Sequence, residues 1–94
     1  MFFKMFAVSF IIPCYNAEKF INKNLVLLKK KIKYLKLTYQ IILIDDGSQD
    51  STYLILKNII KKDKYISLIK NKKNIGKSYS LLRGIKKSKY QNIV

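Results

Sequence analysis

The feature that most constrains this 94-residue chain is an alternation of short apolar runs with longer amphipathic stretches. Phe6-Ala-Val-Ser-Phe-Ile-Ile12, Tyr39-Gln-Ile-Ile-Leu-Ile44 and Tyr65-Ile-Ser-Leu-Ile69 are rich in β-branched and aromatic residues, and the first is closed by Pro13. Continuous runs of this length fit strands buried on both faces, as in a parallel sheet. From Ala17 to about Leu35 the positions Phe20, Ile21, Leu25, Leu28, Ile32 and Leu35 recur mostly three or four apart, which predicts a helix. Asn16 is its expected N-cap, and Glu18 suits its positive end. A second helix is expected after a cap at Asp50, Ser51 or Thr52, with Ile55, Ile59 and one of Leu56 and Ile60 inward. A third runs from about Lys77 to Lys87 with Leu81, Leu82 and Ile85 inward, and Gln91 to Val94 begins a fourth strand. The order β-α-β-α-β-α-β predicts an α/β fold: one parallel sheet, right-handed crossovers and helices on both faces.

Composition removes several kinds of chemistry. The chain has one cysteine and no histidine, so it has no internal disulfide, no Cys/His metal site and no histidine base. Twenty basic residues against five acidic ones give a net charge of +15, which attracts nucleic acid, anionic membranes and phosphorylated ligands alike. Nineteen of the twenty are lysine, however, and sequence-specific nucleic-acid readers lean on arginine forks. A general lysine bias spread over solvated faces accounts for the charge as well. The apolar start, Met1 to Cys14, is interrupted by Lys4 and is too short to span a bilayer, which needs about 20 apolar residues. With no cleavage site after it, the expected location is cytoplasmic, with or without membrane association.

Ligands of open parallel sheets bind beyond the carboxyl ends of the strands. Three polar clusters fall there: Pro13 to Asn16, Asp45 to Ser48, and Lys70 to Lys77. If the second strand continues through Asp45 and Asp46, they point to opposite sides, one bracing the turn and one facing the crevice. Asp-Asp-Gly-Ser also reads as a good turn followed by a helix start. Tyr15 offers a flat face for a base, or is one rim aromatic among seven tyrosines. Lys77, after Gly76 at a helix start, suits a phosphate, or is one surface lysine among many. Gly76-Lys77-Ser78 lacks the first glycine of a phosphate-binding P-loop, since Asn71 stands there.

Val8-Ser-Phe-Ile-Ile-Pro-Cys-Tyr-Asn16, then Ile42-Leu-Ile-Asp-Asp-Gly-Ser-Gln-Asp-Ser-Thr52, then Asn74-Ile-Gly-Lys77, resemble in order the start of glycosyltransferase family 2. The resemblance implies the nucleotide-binding half of a GT-A, Rossmann-like domain spanning residues 1–94. It implies transfer of a sugar, with inversion, from a nucleoside-diphosphate sugar to an acceptor hydroxyl on a glycan or lipid-linked sugar, with cell-surface polysaccharide synthesis a common setting. Carried over, Tyr15 packs on the base with Pro13 lining the same pocket. Asp46 contacts the base, Asp45 supports the turn and neighbouring nucleotide contacts, and Lys77 lies near base and diphosphate. Where many members have Glu after the Tyr-Asn pair, this chain has Ala17, with Glu18 next.

Members of that family carry an Asp-x-Asp motif after the fourth strand, which holds a divalent cation (magnesium or manganese), and a later acidic base. This chain reaches neither, so its own catalytic and metal-binding residues are expected to be none, and the expectation for it alone is an inactive donor-nucleotide pocket. The alternatives are a non-catalytic nucleotide-binding fragment and a basic module for nucleic acid or an anionic membrane.

Overall fold

The computed structural model describes residues 6–94, so Met1 to Met5, including the Lys4 interruption, lie outside it. The elements are β1 (Ala7–Cys14), α1 (Ile21–Tyr34), β2 (Thr38–Asp46), α2 (Thr52–Lys62), β3 (Ile66–Asn71), α3 (Lys77–Lys86) and β4 (Asn92–Ile93). The four strands form one sheet in the order β3-β2-β1-β4, all parallel. The first two crossovers step in one direction and the third steps back past β1. Right-handed connections therefore send α1 and α2 to one face and α3 to the other. The reversal lies between β1 and β4, the place where such sheets open a crevice at their carboxyl ends.

The two faces have separate cores. Leu25, Ile32, Ile41, Leu43 and Leu56 join under α1 and α2, whereas Ile11, Ile42 and Ile44 meet Leu81 under α3. Consecutive residues of β2 thus serve opposite cores, and Ile41 to Ile44 are fully buried. At about 1.5–3 kcal/mol per buried side chain, this strand is the main apolar anchor of the domain.

β1 runs through Pro13 to Cys14 instead of stopping before the proline. The Ile11 amide donates to the Val94 carbonyl at 2.8 Å, on the β4 side. Pro13, two residues on, faces the same way as Ile11, beyond the two positions of β4 that pair with β1. Ser9 is fully buried, and its hydroxyl donates to Gln40 at 2.8 Å and accepts from the Tyr90 amide at 3.2 Å, which anchors the approach to β4.

Two expectations need correction. Helix α1 starts at Ile21 with Phe20 as its N-cap residue, not at Asn16. Asn16 sits at φ 47° with its side-chain oxygen accepting from the Gln49 amide, so it turns the chain and ties loops instead of capping. In α3, Leu82 and Ile85 are exposed, and the helix meets the sheet through Ser80, Leu81 and Gly84. A Cβ at Gly84 would lie 2.3 Å from Ile11 Cγ2 and 2.9 Å from Ile44 Cδ1, so only the smallest residue lets α3 approach this closely. Gly84→Ala is therefore expected to destabilise the domain by about 1–3 kcal/mol despite its better helix propensity, as read by denaturant unfolding.

Candidate functional site

Parallel strands in register bring their carboxyl ends to one edge. Cys14 pairs with Asp45, and Asp46 pairs with Asn71, so the loops after β1, β2 and β3 stand side by side. Tyr15 stands in the first of them, Asp45 and Asp46 end β2 just before the second, and Lys77 opens α3 just after the third. β2 does continue through both aspartates, and they diverge as the alternation requires.

Asp46 turns toward α3. Its Oδ1 accepts from the Ile75 amide at 2.8 Å and the Asn71 side-chain amide at 3.0 Å, and its Oδ2 accepts from the Gly76 amide at 3.0 Å. Burial alone would raise its pKa. Hydrogen bonds from Ile75, Asn71, Gly76 and Ser80 outweigh burial and hold the carboxyl below its ordinary range. Asn71 also donates to Ser80 Oγ at 2.9 Å and accepts from the Arg83 guanidinium. The carboxylate thus fixes the loop that delivers Lys77, the first residue of α3.

Asp45 turns to the opposite side, beside Cys14. Its Oδ1 accepts from the Ser48 amide at 3.2 Å, while Oδ2 has no partner among the described residues although the residue is only 1% exposed. Burial first, and the neighbouring Asp45 charge second, push the Cys14 thiol up to about 12. The cysteine therefore stays protonated and is no nucleophile.

Ser51, one of the three expected cap positions, is the N-cap residue of α2 but makes no side-chain cap bond, and its polar neighbours tie loops together instead. The Ala17 amide donates to Thr52 Oγ1 at 2.8 Å, the Glu18 amide to Asp50 Oδ2 at 3.3 Å and the Asn16 amide to Ser48 Oγ at 3.0 Å. In return the Gln49 amide donates to Asn16 Oδ1 at 2.9 Å and the Ser51 amide to Glu18 Oε2 at 3.0 Å. These reciprocal bonds stitch the loop after β1 to the loop after β2. Gly47, at φ 70°, completes the rim: a Cβ there would fall 2.4 Å from backbone atoms of Lys73 and Asn74. Sequence reasoning missed this stitching, and its one signal was the density of Asn, Ser, Asp and Thr in both loops.

Pro13 and Tyr15 line one groove of about 430 Å³ together with Phe20, Asn24 and Leu28. Asp45, Asp46 and Lys77 are not among its lining residues. Tyr15 is 48% exposed and Lys77 is exposed, so both present their side chains to solvent at the rim. The five expected residues therefore sit on one edge. Two share a groove, two carboxylates are sealed into the rim, and Lys77 opens α3 directly after the loop that Asp46 holds.

The sequence profile of Glycosyl transferase family 2 matches residues 9–94. The chain belongs to this family. A dolichyl-phosphate beta-glucosyltransferase of Dictyostelium discoideum is 38% identical over 91 aligned positions, covering 83% of this chain and 26% of that protein. An undecaprenyl-phosphate 4-deoxy-4-formamido-L-arabinose transferase of Proteus mirabilis is 34% identical over 85 positions, covering 88% of this chain and 26% of that protein. The crystal structure of S. aureus TarS 1-349 superposes with a TM-score of 0.76 at 22% identity, over 94% of this chain and 26% of that one. The family 2 chain thus has the α/β architecture of a GT-A domain and spans about a quarter of the length of these relatives.

Family membership is consistent with a divalent cation in the full domain. The residues present do not fit one: among the described residues no three His, Cys, Asp or Glu side chains converge. Of the five acidic residues, Glu18, Asp46 and Asp50 accept backbone N–H groups of the rim, and Asp63 accepts from Tyr39 and pairs with Lys29 at 2.9 Å. Asp45 is sealed.

Two consequences are measurable. Asp46→Asn is expected to cost about 1–3 kcal/mol at neutral pH by breaking the acceptor set for the third loop. Because the folded carboxyl titrates below its ordinary value of 3.8, its contribution is present above that value and fades as pH falls through it toward the folded pKa. The gap between parent and Asp46→Asn in thermal unfolding should therefore narrow on acidification, and a gap independent of pH would contradict the assignment. Thr52→Val, nearly isosteric, orphans the Ala17 amide and should cost about 1–3 kcal/mol in the same assay.

Proposed function

We propose that this rim binds the nucleotide portion of a nucleoside-diphosphate sugar and that the chain is the donor-binding part of a sugar-transfer domain. The observation that carries the reading is the alignment, on one edge, of an exposed tyrosine beside a groove and a lysine held on a loop by a buried carboxylate. Tyr15 would stack on the base, with Pro13 lining the same pocket. Asp46 would hold the third loop that presents Lys77, while Asp45 supports the turn. Lys77 would face the diphosphate, a cation where negative charge collects.

In the reaction of the complete domain, an acceptor oxygen bonds to the anomeric carbon as the bond to the diphosphate oxygen breaks, with inversion. The nucleoside diphosphate leaves and the acceptor proton passes to a base. No acidic group of this chain takes that proton, so the chain alone binds donor without turnover. Two relatives are named for dolichyl phosphate and undecaprenyl phosphate, which supports a lipid-carried acceptor and a place of work at the membrane surface.

Calorimetry of the full chain with uridine and guanosine diphosphates tests the reading. One of the two is expected to bind, Tyr15→Ala to weaken it by about 1–3 kcal/mol, the range of base stacking on an aromatic ring, and Lys77→Ala to reduce its salt dependence. No heat with either nucleotide, or equal affinity for Tyr15→Ala and parent, would defeat the proposal.

A further inference from the structure

We propose that the outer face of α1 and the groove beside it form a docking surface for an anionic lipid bilayer. Helix α1 buries Ile21, Leu25 and Ile32 against the sheet, and a surface helix ordinarily turns polar residues the other way. Here the outward face carries Val26, Leu27 and Tyr34 at 53%, 51% and 83% exposure, interleaved with Lys30. The helix contains no acidic residue.

Along its flank lies a groove of about 710 Å³ that includes Ile32, Leu37 and Tyr39 and is rimmed by Lys30, Lys33 and Lys36. Lys29, also at the groove, is neutralised by Asp63, but the other three have no carboxylate within ion-pair distance among the described residues. Exposed aliphatic and aromatic side chains set among unpaired lysines on one helix match an interface with apolar depth and negative headgroups. A nucleic-acid backbone offers the charge but no apolar layer for Val26 and Leu27. α1 starts at the rim and runs for 14 residues, about 21 Å, away from it, so the groove at its C-terminal end lies at the edge of the sheet opposite Tyr15. The surface does not depend on the nucleotide reading, because lipid binding is measured without nucleotide.

The test is co-sedimentation of the full chain with vesicles of phosphatidylcholine alone or in equal parts with phosphatidylglycerol. Binding is expected only with the anionic vesicles. At a contribution of about fivefold per lysine, Lys30→Gln/Lys33→Gln/Lys36→Gln should weaken it roughly a hundredfold. Lys72→Gln/Lys86→Gln/Lys87→Gln, with the same net charge, should change it by less than about fivefold. Leu27→Ser/Tyr34→Ser should remove the fraction that survives high salt, and circular dichroism of each variant checks that the fold is kept. Equal losses in the two lysine triples would assign the effect to net charge and overturn the proposal. So would binding that is blind to Leu27→Ser/Tyr34→Ser, absence of binding to anionic vesicles, or preferential capture of single-stranded RNA by the same three lysines.

Discussion

A carboxylate sealed at the end of the central strand organises the edge of this domain. Asp46 takes two backbone amides and one side-chain amide from the segment that leads into α3. A buried charge is tolerated only when donors replace the water it has lost. Its position leaves few choices: the segment must curl so that the Ile75 and Gly76 amides point inward, and α3 must begin at Lys77. The Arg83–Asn71–Ser80 contacts then lock the helix to the same group. Without the charge the segment would have no common acceptor.

That carboxylate is presented by a strand whose apolar part leaves no freedom of register. Ile41 to Ile44 are buried on both faces, so a shift of one residue would exchange the two cores and reverse Asp45 and Asp46. The cross-loop bonds among Asn16, Glu18, Ser48, Asp50 and Thr52 extend the same logic sideways, tying the loop after β1 to the loop after β2. These bonds fix the backbone on either side of the rim, between the loop that carries Tyr15 and the loop that follows Asp46.

The apolar runs announced β2 and its neighbours clearly, because a strand buried on both faces has no polar positions to blur it. The helices were less legible. In α3 the side chains that touch the sheet include Ser80 and Gly84, whereas Leu82 and Ile85 face outward, so a search for large apolar residues selected part of the wrong stripe. In the loops, residues with cap-forming side chains were present as expected. Their partners lie more than thirty positions away, as between Ala17 and Thr52, and such pairing has no local signature. Asn16 illustrates the point: its left-handed turn and distant acceptor role exclude the cap that its type suggested.

By itself the sequence determined the alternation of elements, the parallel sheet and the edge on which the polar clusters gather, since these follow from periodicity and from chain direction alone. Only the tertiary structure decided what each carboxylate does. It gave Asp46 to the third loop and left one oxygen of Asp45 unpartnered among the described residues, beside Cys14, and it turned Asn16, Glu18 and Thr52 into fasteners between loops. The reason is physical: hydrogen-bond partners of buried charges are chosen by which backbone amides the packing brings within about 3 Å, and that distance does not exist until the strands are side by side.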